Sequence, residues 1–377
     1  MPFTMKEMGR RQRAISQLLE SERLEALFLI GDENRTNHFC GDLRYYTNHL
    51  IFASRSVALI FPNAEPVILT GSENQRKSAA QRGFIKDSRV SEDFLKDLIA
   101  LLRERRISTG RIGVNLEMLP TAWYIRLRQE FLHVEWVEIH ERIIQIRSQR
   151  SQEEIDIYRK GAALGDGGFE AALKVIRPGV TEYEVAAEIE QYARARGAEG
   201  HFTLLGSGKF KLDNSMLSFP PPPPSSRQIE FGDSVSMEIS PRYEGYWTQL
   251  VRTANVGRAN SDLEKIHRIC CNTIRKGLEE FRPGKTIKDV VLAMKAYVIG
   301  TGYLLAPPLG HISGIDLLEG RVAQQNEMVL EPGMSVILHP TVSTPDNKSN
   351  FFWGETYLVT HDGYERLHRT GDELLTL

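Results

Sequence analysis

One glutamate, one glutamine and two histidines carry most of the chemistry open to the C-terminal half of this chain. Glu238 ends the run Gly232-Asp233-Ser234-Val235-Ser236-Met237-Glu238, and Gln249 lies within Gly245-Tyr246-Trp247-Thr248-Gln249-Leu250-Val251-Arg252-Thr253. His311 follows Gly310 in Leu309-Gly310-His311-Ile312-Ser313-Gly314, and His339 lies in Glu331-Pro332-Gly333-Met334-Ser335-Val336-Ile337-Leu338-His339-Pro340. A carboxylate can attack a substrate or act as general base. An imidazole can bind a metal, donate a hydrogen bond or move protons near neutral pH, which predicts a limb of the pH profile near ~6–7. Two histidines with one carboxylate are also a ligand set for zinc or iron.

The elements that must position these residues are legible in the hydropathy pattern. Ser234 to Ile239 and Tyr246 to Thr253 alternate small polar with apolar residues and read as strands, which puts Glu238 and Gln249 on neighbouring strands. Residues 1–145 alternate helical and strand patterns. Met5 to Leu19 has helical spacing, Leu24 to Ile30 is a buried-strand run, and Ser56 to Phe61 with Pro66 to Leu69 reads as a hairpin. Helical Phe94 to Arg103, strand Arg111 to Val114, helical Thr121 to Phe131 and strand Val134 to Val137 complete a small α/β domain with one mixed sheet. The polar stretch Arg147-Ser148-Gln149-Arg150-Ser151 marks the boundary, giving domains 1–147 and 148–377.

The second domain carries an internal echo. Arg177-Pro178-Gly179-Val180-Thr181 recurs 105 residues later as Arg282-Pro283-Gly284-Lys285-Thr286. In each copy a glycine ends one helix and a threonine caps the next, with Glu184 and Asp289 at the capping-box positions. A duplicated helix-helix-strand unit follows. Pro220 to Pro224 must be polyproline II or loop and is expected to shape access to a pocket.

A net charge of −2, with lysines and arginines scattered, excludes a nucleic-acid surface. No apolar run approaches the ~18–20 residues that span a bilayer, and no signal-peptide pattern opens the chain, so a cytoplasmic protein with no membrane partner is expected. Cys40 and the pair Cys270-Cys271 form neither a disulfide framework nor a zinc motif and read as small buried hydrophobes.

With Gly354-Glu355-Thr356-Tyr357-Leu358-Val359-Thr360 as a fifth segment, the order and spacing resemble the "pita-bread" family of methionine and Xaa-Pro aminopeptidases, prolidase and creatinase. The resemblance implies an α/β (α+β) fold. A C-terminal pita-bread domain, with curved antiparallel sheet inside and helices outside, would follow a smaller creatinase-like N-terminal α/β domain. It also implies that the pocket lies between the duplicated halves. Peptidases of the family hold two divalent metals with Asp, Asp, His, Glu and Glu. The corresponding positions here are Glu238, Gln249, His311, His339 and Gly354. Gln249 removes the carboxylate that bridges closely spaced cations, so neither a metal pair nor any other cofactor is expected. Glu355 is one step along its strand, which pleat alternation points to the other face; it is retained as a substrate-binding candidate. The two substrate-side histidines of the peptidases become Ser215 and Leu318, the latter followed by the acidic Glu319. Arg55 falls where creatinases place an arginine that clamps a substrate carboxylate across a subunit interface, and Arg44-Tyr45-Tyr46 enters the same region.

The resulting expectation is a metal-independent hydrolase of a C–N bond (amide, amidine or cyclic amidine) in a small polar nitrogen compound, similar to creatinase and ectoine hydrolase. Glu238, His311 and His339 would be catalytic. Arg55, Tyr45, Tyr46, Gln249, Ser215 and Glu355 would bind substrate, and a homodimer would share the site. A mononuclear metal-dependent lyase, an Xaa-Pro-peptidase-like hydrolase and a non-catalytic binding module are the alternatives.

Overall fold

The computed structural model describes residues 3–32, 41–52, 54–213, 217 and 219–377. They divide into two compact units, Met1–Ser148 and Gln149–Leu377.

Among the described residues, the first unit is built on six strands: β1 Leu24–Asp32, β2 Arg55–Phe61, β3 Ala64–Thr70, β4 Asp87–Val90, β5 Thr109–Val114 and β6 His133–Glu138. Their order across the sheet is β4-β3-β2-β1-β5-β6. β1 pairs antiparallel with β2 and parallel with β5, so the sheet is mixed. The near-continuous apolar run of β1 fits its central place, buried on both faces. Alternate residues of β1, β2, β3 and β5 pack with Leu98, Leu101 and Leu102 of the amphipathic helix Phe94–Glu104. The edge strand β4 has no predicted counterpart, because its residues Asp87-Ser88-Arg89-Val90 are half-exposed and lack an apolar face.

The second unit continues with β7 Ala198–Gly208, β8 Ser234–Tyr243, β9 Tyr246–Trp247, β10 Leu250–Asn255, β11 Leu304–Ala306, β12 Gly310–Ile312, β13 Gly320–Arg321, β14 Ser335–Leu338, β15 Thr341–Ser343, β16 Asn350–Phe352 and β17 Gly354–Val359. Its main sheet runs β13-β12-β14-β17-β10-β8-β7, and β11, β15 and β16 form a separate small sheet. Helices Gln152–Val175 and Glu182–Arg194 cover β8 and β10 through Phe169, Ala172, Val185 and Ile189. Helices Ser261–Glu279 and Ile287–Gly300 belong to a second core with Val336, Leu338 and Val359 of β14 and β17.

The internal echo is a repeated piece of backbone geometry. Gly179 and Gly284 both adopt left-handed φ (+91° and +83°), a conformation that favours glycine. Thr181 with Glu184 and Thr286 with Asp289 both form capping boxes. Gly179 N–H donates to Ile229 C=O at 2.8 Å, and Gly284 N–H to Leu330 C=O at 3.0 Å. Each glycine thus ties a helix-helix turn to the segment that leads into β8 or β14. From there the offset shortens from 105 to 101 residues: it relates Ile229 to Leu330, Ser234 to Ser335, the first residues of these strands, and Glu238 to His339.

The proline run lies along the edge strand β7, where Pro222 C=O accepts from Leu205 N–H at 2.9 Å. Ser225, just beyond the run, gives its N–H (3.0 Å) and hydroxyl (2.7 Å) to Glu182 Oε2, while Ser207 of β7 gives both of its donors to Glu182 Oε1 at 2.7 Å. One buried carboxylate therefore fastens the rigid segment to the sheet edge and covers backbone that an open edge would expose. Cys270 and Cys271 are buried, and burial pushes the Cys271 thiol up to about 12 and that of Cys270 well above its ordinary value. Both are small buried side chains, as expected. Cys40 lies outside the described residues. No helix among the described residues is long and apolar enough to cross a membrane.

Candidate active site

On β8, Val235, Met237 and Ile239 face the core under the first helix pair, so pleat alternation turns Ser236, Glu238 and Ser240 to the opposite face. β10 runs antiparallel beside β8 with Val251 across from Glu238, and Gly354 of β17 lies across from Val251 on the other side. Gln249, just ahead of β10, is fixed through its backbone. Its N–H donates to Thr356 Oγ1 at 2.8 Å, and that hydroxyl donates to Gln249 C=O at 3.1 Å.

From this anchor a chain of polar side chains crosses the sheet. Gln249 Oε1 lies 2.9 Å from His311 Nε2. The His311 and His339 rings are 5.3 Å apart at 63°, and His339 packs against Phe352 with ring centroids 4.6 Å apart. On its other side Gln249 acts on Glu238, lowering that carboxyl's proton affinity, although its Nε2 closes no hydrogen bond of standard geometry. The structure therefore brings Glu238, Gln249, His311 and His339 together.

Burial dominates the electrostatics. Glu238 is 7% exposed, and loss of solvation pushes its carboxyl up to about 7, with Gln249 pulling the other way. Burial, and then the neighbouring His311, hold the His339 imidazole down to about 3, so it is neutral at physiological pH. A pH limb near neutrality is thus not expected from His339, and the buried Glu238 carboxyl is placed in that range.

Gly354 does more than omit a ligand. A Cβ at this position would lie 1.9 Å from Leu338 C=O oxygen and 2.5 Å from His339 Cα, both backbone atoms. The fifth ligand position of the metallopeptidases is thus closed by the approach of β14 to β17. Among the described residues, no three His, Cys, Asp or Glu side chains are arranged to hold a metal ion. His311 Nε2 is directed to Gln249, and Glu238 is the one carboxyl in the chain of contacts. These residues do not fit a two-metal centre, which needs anionic oxygens between the ions.

The remaining expected site residues fall elsewhere. Glu355 points to the opposite face, where its buried carboxylate pairs with Arg252 and Arg366, the latter also 2.8 Å from Asp372. Both its oxygens are taken by guanidinium groups, so here it is the centre of an ion-pair network. Arg55, in the first unit, gives Nη2 to Asp32 at 2.7 Å and stacks over Trp123 at 4.8 Å. Tyr45 and Tyr46 are buried in that unit's interior, Tyr45 beneath the Arg11 guanidinium, so they pack the core where an open pocket lining was expected. Ser215 lies outside the described residues. Phe352 and Thr356 were missed as site residues: neither carries ionisable chemistry, and only the strand pairing places them beside His339 and Gln249.

Residues 156–361 match the description "Metallopeptidase family M24", and residues 10–149 match "Creatinase/Prolidase N-terminal domain". The chain is 26% identical to creatinase from Bacillus sp. (strain B-0618) over 371 residues, covering 92% of this chain and 86% of that protein. It is 30% identical to Xaa-Pro dipeptidase from Pyrococcus furiosus over 246 residues, covering 64% of this chain and 69% of that protein. Among solved structures, an Xaa-Pro dipeptidase from Bacillus anthracis matches with a TM-score of 0.82 at 23% identity, covering 99% of each chain; this likeness speaks for the fold alone.

Proposed function

The chain belongs to metallopeptidase family M24, and from that premise we propose that it is a metal-independent hydrolase of a C–N bond in a small polar nitrogen compound. The observation that carries this reading is the Glu238-Gln249-His311-His339 chain: a buried carboxyl poised near neutral pH, linked through an amide to two imidazoles, at positions where the resemblance puts the metal ligands of the family's peptidases. A group with a pKa near the working pH is suited to take and return a proton in one cycle. In the proposed sequence, His311 and His339 polarise the C–N group by hydrogen bonding. Glu238 accepts a proton from water as its oxygen adds to the carbon, then delivers that proton to the departing nitrogen as the C–N bond breaks. Direct attack by the carboxylate is the variant of the same scheme.

The proposal includes a cytoplasmic homodimer that shares the site, on the strength of the creatinase-like N-terminal domain. Arg55 would hold a substrate carboxylate only by sharing its guanidinium with Asp32. Similarity to a creatinase over most of both chains supports the non-peptidase reading. Elemental analysis of protein purified without chelator, followed by turnover measurements on amides, amidines and cyclic amidines with and without chelator, tests it. Turnover that resists chelator and no stoichiometric metal are expected; a metal pair would overturn the reading, and one metal per chain would favour the mononuclear lyase instead.

A further inference from the structure

The His311–Gln249 contact joins two chain segments, and the next rung of the same junction is two residues away on each. Trp247 N–H donates to Gly314 C=O at 3.0 Å, and Ser313 Oγ donates to Trp247 C=O at 2.7 Å. Ser313 C=O is in turn the target of two donors: Arg150 Nη2 at 3.0 Å and Tyr158 OH at 2.8 Å. Arg150 also gives Nη2 to Glu319 Oε2 at 3.1 Å and Nε to Tyr158 OH at 3.3 Å. Glu319 closes the turn by donating its N–H to Ile312 C=O at 2.9 Å and packs so tightly on Gly314 that a Cβ there would lie 2.1 Å from Oε1. The other side of the rung is fastened to the same helix start. Tyr246, the residue before Trp247, donates its hydroxyl to Glu154 Oε1 at 2.6 Å, and Glu154 completes the capping box with Ser151.

We propose that the buried cluster Arg150, Tyr158 and Glu319 is the positioning device of the site: it fixes the Ser313–Trp247 rung and so sets the geometry in which His311 meets Gln249. The assignment rests on reading His311 and Gln249 as working parts of the site. A buried ion pair is a poor source of stability, since apolar residues of similar volume often serve as well or better. Its value lies in directional hydrogen bonds that admit one arrangement, which a reacting centre needs because a misplacement of ~1 Å can cost ~100-fold in rate. Arg150 suits the task because its planar fork addresses a carbonyl, a carboxylate and a phenol at once, which a lysine ammonium on a flexible stem cannot do in fixed geometry.

The test is ring-nitrogen NMR of histidine-labelled protein, with the His311 signals assigned by loss in His311→Asn. Tyr158→Phe and Arg150→Lys should shift the His311 Nε2 signals, and Arg150→Met should shift them further than Arg150→Lys. Glu182→Gln, which disturbs a buried carboxylate network at the proline segment, should leave them in place. Turnover, once a substrate is in hand, should fall about tenfold or more with KM little changed. His311 signals in Tyr158→Phe and Arg150→Lys that coincide with those of the parent protein would overturn the proposal; if the Arg150 variants do not fold, Tyr158→Phe and Ser313→Ala decide. Shifted signals with unchanged turnover would support the positioning of His311 and count against His311 and Gln249 as working parts of the reaction.

Discussion

Glu238 and Glu355 flank the same strand, β10, and are both buried, yet they live opposite lives. Glu355 faces the helix side, where Arg252 and Arg366 neutralise it. Glu238 faces the other side, where burial raises its carboxyl to about 7 and the group acting on it is the Gln249 amide, which in turn contacts His311. The register explains the difference: Val251 is paired with both Glu238 and Gly354, so Glu355, one residue on, must point away. The comparison teaches that burial alone does not make a carboxylate functional. A carboxylate matched by guanidinium groups holds the fold together, and one left without a cation holds a proton it can exchange.

The largest effect should come from breaking the matched pair. Arg252→Met leaves Glu355 short of a buried cation and is expected to cost on the order of 3–5 kcal/mol in denaturant unfolding. A loss below ~1 kcal/mol would show that Arg366 alone suffices and would weaken the contrast with Glu238.

Glu238→Gln should behave the opposite way. In the unfolded chain this glutamate loses its proton near 4.5, whereas in the folded protein it does so near 7. The folded state holds the proton longer between those values, so this residue's contribution to stability falls as pH rises from about 4.5 to about 7 and is level above. Glu238→Gln should therefore match the parent protein in stability at pH 4 and exceed it by on the order of 3 kcal/mol at pH 8. His339 contributes a slope of the other sign between about 3 and 6.5, since the unfolded chain takes up its proton first as pH falls. That slope is common to both proteins and cancels in the comparison. Equal stabilities across the range would mean that Glu238 is not an uncompensated buried acid. The same variant should lose at least ~100-fold in turnover, the scale of removing a general base; full activity would place the chemistry elsewhere.

Much of this contrast could be read from the chain before the fold was known. Strand alternation put Glu238 and Glu355 on opposite faces, and the five ordered segments placed Gln249, His311 and His339 with Glu238. The two glycine-threonine turns exposed the duplication because a left-handed glycine followed by a capping threonine is a local signal. What stayed hidden is long-range. Nothing near Glu355 in sequence announces Arg252, and nothing near Arg55 announces Asp32, because each ion pair is made by strands paired in space. Arg150 read as part of a polar linker, since a charged residue at a boundary looks solvated until its buried partners Tyr158 and Glu319 are in view. Tyr45 and Tyr46 suggested a pocket for the complementary reason: an aromatic pair beside an arginine has the same composition in a core as in a cleft.

The smallest expected effect sets the scale for the rest. Arg159 reaches Glu365 through two hydrogen bonds of 2.9 and 2.8 Å, a fork geometry as good as that around Glu355. Here, however, the side chains are 45% and 32% exposed. Water solvates both ions when the bridge opens and salt screens them when it is closed, so Arg159→Met should cost at most about 1 kcal/mol, and less in high salt. The measurement is a denaturant titration of Arg159→Met beside Arg252→Met at low and high ionic strength. If burial rather than bond geometry separates the two carboxylates of β17 and its neighbours, the exposed pair should lose its small contribution to salt while the buried one keeps most of its own. Equal costs for the two variants would mean that bond geometry, not desolvation, governs these pairs, and the account of Glu238 as an acid set apart by burial without a cation would lose its footing.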